Sequence, residues 1–397
     1  LRYSPKNDLQ LIVMNRYYDV AYQSIYARSI GEGSSVQNES GFYIGLETSL
    51  LKYFKLSAYG DFFYFPWKKY QLSKNGTSGF DGVCQLSYSP SYQLDMFIRY
   101  RYKNKHKDFT PEDGDKVTLP YIQQKWRYQL NYSPKESLRL LVMNRFYDVA
   151  YQSIYARSIG EGSSVQNESG FYIGLETSLL KYFKLSAYGD FFYFPYKKYQ
   201  LSKNGTSGFD GVCQLSYSPS YQLDMLIRYR YKNKQKDFTP EDGEKIVLPY
   251  VQQKWRYQLN YTPMDELVLK TTVDIVHNGH RDQKASQGIL IGQSGGYKFR
   301  SLPLQLDAGF AWFQTDDYAS RISMYEKGLL YSFSIPSFYG KGERYTFNAR
   351  YELNEHIIFQ TKYALTHYRD REVISSGLEQ INGNTKSDLY LQLRLKF

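Results

Sequence analysis

The sequence predicts an all-β fold, a transmembrane antiparallel up-and-down β-barrel of about 20 strands. Three observations predict it. Apolar and polar residues alternate along run after run, short turns alternate with long polar loops, and the chain ends in an alternating strand closed by an aromatic residue.

Composition agrees with strands that cross lipid and disagrees with helices that do. Tyr supplies 43 of the 397 residues and aromatics reach 18%, yet 22% of the chain is charged and the mean hydropathy is −0.58. No stretch approaches the roughly 18 consecutive apolar residues that a spanning helix needs. A barrel strand needs only every second residue to be apolar, so a barrel looks soluble on a hydropathy plot. The net charge of +11 fits nucleic acid, an anionic membrane surface or a basic lumen, and only its distribution can choose among them.

Residues 1–129 recur as 130–258 with few differences, and a third start at Leu259–Pro263 (LNYTP) then diverges. A period this long exceeds the roughly 20 to 50 residues of solenoid and propeller units. It has the form of a recent tandem duplication or of a sequence-assembly error. The expected organisation is a single barrel domain, residues 1–397, built from blocks 1–129 and 130–258 and a distinct segment 259–397. Because Leu1–Pro5 (LRYSP) matches Leu130–Pro134 (LNYSP), the chain is expected to begin inside a strand, truncated at its N-terminus, with any signal peptide upstream. Cys84 and Cys213 stand in identical contexts (FDGVCQLSYSPS) and are copies of one position, so neither a disulfide nor a metal site is expected.

Within each block the period is two. Phe42, Ile44, Leu46, Thr48 and Leu50 oppose Tyr43, Gly45, Glu47 and Ser49, and a looser run follows from Leu56 through Ala58 to Phe62. Leu94, Met96, Ile98, Tyr100 and Tyr102 back onto Asp95, Arg99, Arg101 and Lys103; Trp126, Tyr128, Leu130 and Tyr132 back onto Lys125, Arg127, Gln129 and Asn131. Short turns fall at 50–55, 89–93 and 133–137, and long polar loops at 24–40, 66–79 and 103–116. That alternation is how outer-membrane barrels are connected, with the long loops extracellular. Each block then supplies about six strands. About eight more are expected after Leu259, near Leu267, Gly288, Leu304, Tyr318, Leu329, Arg344, Ile357 and Asp388.

The final strand carries Leu389, Leu391, Leu393, Leu395 and Phe397 on one face and Tyr390, Gln392, Arg394 and Lys396 on the other. Alternation ending in a terminal Phe resembles the signal by which bacterial barrels are recognised by their assembly machinery, which makes that machinery and outer-membrane lipid the expected partners. The segment Asp316–Phe397, with MYEKGLLYSFSIPSFYGKGERY, SSGLEQINGNTKSD and LQLRLKF, resembles the C-terminal barrel region of Bacteroidota outer-membrane proteins that carry a helix-hairpin-helix module ahead of the barrel. The resemblance implies the outer membrane of a Gram-negative bacterium. The module itself is not visible in these residues, so nucleic acid is not supported as a partner.

Catalytic chemistry finds little to work with. Of the five histidines, His106, His277, His280, His356 and His367, the pair in VHNGHRD falls in a loop-like spot at a strand end, and His106 is Gln235 in the second block. Glu112, Asp113 and Asp115 in PEDGDK lack EF-hand spacing. No enzyme activity, metal or cofactor is expected.

The inward rows carry the functional expectation. Glu47, Asp61, Asp95, Arg99, Arg101, Lys103, Lys125 and Arg127 recur as Glu176, Asp190, Asp224, Arg228, Arg230, Lys232, Lys254 and Arg256; Arg350, Lys362, Arg394 and Lys396 add to the basic side against Glu352. Mixed charges of this kind hydrate and cross-link a lumen, and their basic excess would set ion selectivity or attract an anionic solute. Tyr100, Tyr102, Tyr128 and Tyr132 are expected in interfacial girdles at strand ends. Three functions are weighed: a pore or the membrane part of a transport system for an unidentified small solute or ion; a filled barrel that conducts nothing and anchors a missing N-terminal module, which the resemblance implies would be of the helix-hairpin-helix kind; and, least expected from the histidines, an outer-membrane enzyme.

Overall fold

The computed structural model describes residues 1–6, 8–22, 31–32, 37–69, 72–110, 116–151, 160–162, 166–198, 201–240, 243–332 and 335–396. The chain divides into two compact units, residues 1–174 with 190–207 and residues 175–189 with 208–397. Among the described residues, nineteen strands are hydrogen-bonded to neighbouring strands, and every pairing described between them is antiparallel.

The first unit contains β1 (Arg2–Lys6), β2 (Leu9–Tyr18), β3 (Glu39–Leu51), β4 (Phe54–Phe65), β5 (Thr77–Ser91), β6 (Leu94–Phe109), β7 (Val117–Lys135) and β8 (Leu138–Tyr147). Each is paired with the next in order. Tyr, Phe, Val and Ile suit a pleated surface that is covered on one side only. Two-residue turns at 52–53, 92–93 and 136–137 join β3 to β4, β5 to β6 and β7 to β8, and Tyr53 closes its turn at φ 74°. The register shifts beside each of these turns, the mark of a bulge.

The division between the units runs through β9 (Glu168–Leu180), β10 (Phe183–Phe194) and β11 (Thr206–Ser220). The second unit continues with β12 (Leu223–Phe238), β13 (Ile246–Met264), β14 (Leu267–His280), β15 (Ser286–Lys298) and β16 (Leu304–Thr315). After the two-residue strands β17 (Ile322–Ser323) and β18 (Ser337–Phe338) come β19 (Lys341–Glu352) and β20 (Ile357–Tyr368), then β21 (Val373–Ile374), β22 (Ile381–Asn382) and β23 (Thr385–Leu395). Strand β16 pairs directly with β19, and β20 with β23.

Six strands recur from block to block, β2–β7 as β8–β13, in agreement with the sequence. Four other expectations are corrected. The runs near Tyr318 and Leu329 are not strands of the long sheet: the described residues of 316–332 and 335–340 form one 3₁₀ turn and the β17–β18 pair, so six long strands are described after Leu259 instead of eight. Of their apolar residues Ile322 and Phe338, with Met324 beside them, pack on a cluster, while Tyr318, Tyr325 and Tyr331 are exposed. The loop expected from residue 103 begins only after Phe109, since Lys103–Phe109 stay paired with Val117–Gln123. That extension leaves Tyr100 and Tyr102 within β6 and not at a strand end. His277 and His280 likewise lie in β14, paired with Gln253 and Tyr250. The acidic loop residues Glu112, Asp113 and Asp115, and the terminal Phe397, lie outside the described residues.

Burial is inverted relative to a soluble sheet. In the first unit Arg16, Glu39, Asp81, Gln123 and Arg145 are buried, while Phe42, Ile44, Phe62, Ile98 and Trp126 are exposed. In the second unit Asp274, Glu326 and Lys362 are buried, while Ile275, Phe347, Phe359 and Leu391 are exposed, Leu391 by 74%. An apolar exposed surface of this extent is a liability in water and a requirement in lipid. One apolar cluster does form inside the second unit, where Ile322 and Phe338 of β17 and β18 pack with Val276, Leu290, Phe313, Tyr368 and Ile374.

Candidate functional site

Strand register gathers the charges onto a single face. Gln10, Glu47, Ser57, Gln85, Arg99, Arg127 and Arg145 are successive cross-strand partners from β2 to β8, so they form one row of the first unit. Asp61, Asp81, Lys103 and Gln123 form a parallel row. The neighbouring residue in each strand belongs to the opposite face because the side-chain period is two, and there stand Phe62, Ile98 and Trp126.

Two buried ion clusters anchor this face in the first unit. Arg16 donates from Nε to Glu39 (2.8 Å) and from Nη1 and Nη2 to Asp61 (2.6 and 3.0 Å). The backbone N–H of Glu32 donates to the same Glu39 carboxylate at 3.0 Å. The second copy repeats the arrangement: Arg145 reaches Glu168 at 2.6 Å and Asp190 at 2.7 Å, and Glu168 is wholly buried. A buried charge left without its partner is costly, so all three members hold each other in place. Beside them Arg101 pairs with Asp81, and Lys103 bridges Glu32 (2.5 Å) and Asp81 (3.4 Å).

The other sequence-derived positions have these partners. Glu47 pairs with Lys55, Asp95 accepts from Ser89 (2.7 Å) and Asn131 (3.3 Å), and Arg99 donates to Gln85 (2.6 Å). In the second unit Glu176 pairs with Lys184 (2.8 Å), and Asp224 accepts from Ser218 (2.6 Å) and Asn260 (3.1 Å). Arg228 donates to Gln214 (2.8 Å), while Arg230 and Lys232 share Asp210. Lys254 (3.2 Å) and Arg256 (2.6 Å) converge on Asp274, Arg350 pairs with Glu352 (2.6 Å), and Arg394 lies 5.8 Å from the Tyr331 ring. Leu389, Leu391, Leu393 and Leu395 are exposed on the opposite face of β23.

Residues 316–340 add a feature that periodicity could not supply. Within the second unit Glu326 of this connection reaches the charged face, where it accepts from Arg344 (2.5 Å) and from Lys362 (3.2 Å), all three buried. Lys327 reaches Asp307 at 2.6 Å, and the Ala319 carbonyl accepts from Asn278 at 2.7 Å. Sequence reasoning missed Arg16, Glu39, Arg145, Glu168, Asp81, Asp210, Asp274, Glu326 and Arg344. Asp81 and Asp274 were accessible to a fuller count of alternation in β5 and β14; Glu326 was not, since its partners lie 18 and 36 residues away on other strands.

No family model matches the sequence, and no curated protein matches it. Solved structures do match in fold. A chain of the FpvAI–pyocin S2 complex aligns over 100% of this chain and 62% of its own length, with a TM-score of 0.51 at 10% identity. The FrpB iron transporter from Neisseria meningitidis aligns over 99% of this chain and 71% of its own, with a TM-score of 0.50 at 9% identity. This chain therefore spans about three fifths of the length of the first of these. The fold is that of Gram-negative outer-membrane β-barrel proteins, and the outer membrane is the location it fits.

Proposed function

We propose that the sheet closes into a barrel whose charged face lines a water-filled interior, and that the chain is a pore or the membrane part of an outer-membrane transport system. One observation carries the reading: charged side chains such as Arg16, Glu39, Arg145, Asp274 and Lys362 are buried on one face of their strands while large apolar side chains such as Ile98, Trp126, Ile275 and Phe359 are exposed on the other. Such a sheet is stable only with lipid on one side and water or protein on the other. The buried clusters around Glu39, Glu168, Asp274 and Glu326 are mutually paired, which fits a structural role for them and not an enzyme. Purified full-length chain in a planar bilayer under a salt gradient tests it. The basic excess on the charged face is expected to give an anion-preferring reversal potential that fades with salt, as the Debye length shrinks from about 30 Å at 0.01 M to about 3 Å at 1 M. A cation-selective pore would overturn the lumen assignment.

The connection 316–340 favours a second reading, a filled barrel that serves as a scaffold. Its Glu326 cluster and its apolar packing occupy the face that would otherwise be open. Under this reading the barrel anchors a further module, and the likeness of Asp316–Phe397 to the barrel region of Bacteroidota helix-hairpin-helix proteins supports that kind of module and that source. Absence of conductance both in the native chain and in a variant with residues 322–338 replaced by a short Gly/Ser linker would decide for the scaffold.

A further inference from the structure

The charged face of the first unit contains one group of cations that its carboxylates do not neutralise. Arg99 and Arg127 are direct cross-strand partners, and Lys125 stands two residues along β7, opposite Arg101. Like charges placed directly opposite are unfavourable unless something negative lies near. Arg101 has Asp81. For the other three, no carboxylate lies within ion-pair distance among the described residues.

Aromatic rings and amides hold these cations instead. Arg99 and Arg127 lie 5.6 and 5.4 Å from the Phe97 ring, and Lys125 lies 4.9 and 5.2 Å from the rings of Tyr147 and Tyr151. Arg99 donates to Gln85 at 2.6 Å and Arg127 to Gln129, while the buried Nε of Arg127 has no partner. A ring face or an amide oxygen orients a cation and leaves its full charge in place. The three groups converge on a cavity of about 350 Å³ that Tyr43 and Tyr59, stacked at 5.5 Å, help to line.

The duplication supplies an internal control. Arg228, Lys254 and Arg256 repeat Arg99, Lys125 and Arg127, but the cross-strand partner of Arg256 is Asp274, where Arg127 faces Arg145. Asp274 binds both Lys254 and Arg256, at 3.2 and 2.6 Å. Arg145 is engaged by both Glu168 and Asp190, so its charge is compensated. Leu226 stands where the first block has Phe97. Two members of the same basic triplet are thus neutralised in the second unit, while Arg228 is held by the amide of Gln214, as Arg99 is by that of Gln85.

We propose that Arg99, Lys125 and Arg127 form a binding subsite for a free small solute bearing two or more oxyanion charges, of the carboxylate or phosphate class. Guanidinium and ammonium donors around a cavity are the geometry that such groups require. The proposal rests on the functional reading above only in that the charged face is wet; conduction is not needed.

Isothermal titration of the refolded full-length chain in zwitterionic micelles at low salt, with citrate and with inorganic pyrophosphate as probes, tests it. One saturable site is expected, weakened by added salt. Arg127→Gln and Lys125→Gln are each expected to lower affinity about tenfold or more, the scale of a charge-assisted hydrogen bond. Arg256→Gln is expected to leave it within about twofold. Strand-dominated dichroism checks folding, and Arg99→Gln replaces either variant that fails that check. No saturable binding, or equal losses from Arg127→Gln and Arg256→Gln, would overturn the proposal. Loss of citrate affinity in nanodiscs containing phosphatidylglycerol, but not in zwitterionic ones, would overturn the free solute in favour of a lipid headgroup. Binding without conductance would leave the subsite standing and count against the pore.

Discussion

The guanidinium of Arg16 lies flat over its cross-strand partner Gly41, so close that a Cβ added to Gly41 would stand 2.3 Å from Arg16 Cζ. The side chain crosses β3 by this gap to reach Asp61 on β4, and Gly170 leaves the same space beneath Arg145. Gly41→Ala is therefore expected to expel the guanidinium and leave Glu39 buried without its partner. The expected loss is about 3 to 5 kcal/mol, the range for breaking a buried ion pair, read as a lower denaturation midpoint of the refolded protein. Gly45→Ala, where the built Cβ meets the far end of the Tyr43 side chain, is expected to be milder.

Charges on the two faces should behave oppositely. Leu393→Arg places a cation on the exposed apolar face of β23 and is expected to destabilise by about 2 to 4 kcal/mol if the position lies near the bilayer midplane, as is Ile98→Arg on β6. Arg394→Leu is expected to be much milder, since Arg394 lies on the charged face. Unfolding titrations in lipid vesicles compare the three; equal tolerance would show that the faces have been assigned the wrong way round.

Cys84 and Cys213 offer a direct probe of the lipid-facing surface. Both thiols are free and exposed, and Cys84 shares its face of β5 with Leu86 and Phe80, opposite Asp81 and Gln85. A charged, membrane-impermeant maleimide is expected to leave both unmodified in vesicles and to modify both after unfolding. Rapid modification of the folded protein in vesicles would place this face in water.

The turn between β13 and β14 should respond to acid. Arg300 hydrogen-bonds Glu266 there and holds its carboxyl below the usual carboxylate range. A carboxylate whose pKa is depressed by folding contributes stability above its unfolded pKa and loses it as pH falls through the folded value. Arg300→Ala is therefore expected to be less stable than the native chain at neutral pH, with the difference vanishing in acid. Both groups are at the surface, so the effect is small and should also fade with salt. Parallel unfolding titrations at neutral and acid pH check it.

Much of the sheet was determined by the sequence alone, because a strand that separates lipid from a polar interior must alternate, and alternation can be counted without knowing what the strand pairs with. The rows ending at Arg99 and Arg127, the short turns at 52–53 and 92–93, and the leucine face of β23 are all local in this sense. Tertiary structure decided what alternation cannot encode. Residues 316–340 alternate too, yet Ile322 and Phe338 turn toward Val276 and Phe313 while Glu326 seats between Arg344 and Lys362, contacts made across distant parts of the chain. The nearly identical blocks make the same point about charge. Arg127 and Arg256 are indistinguishable within their own strands, and only the neighbouring strand, bringing Arg145 to one and Asp274 to the other, determines which of them remains uncompensated.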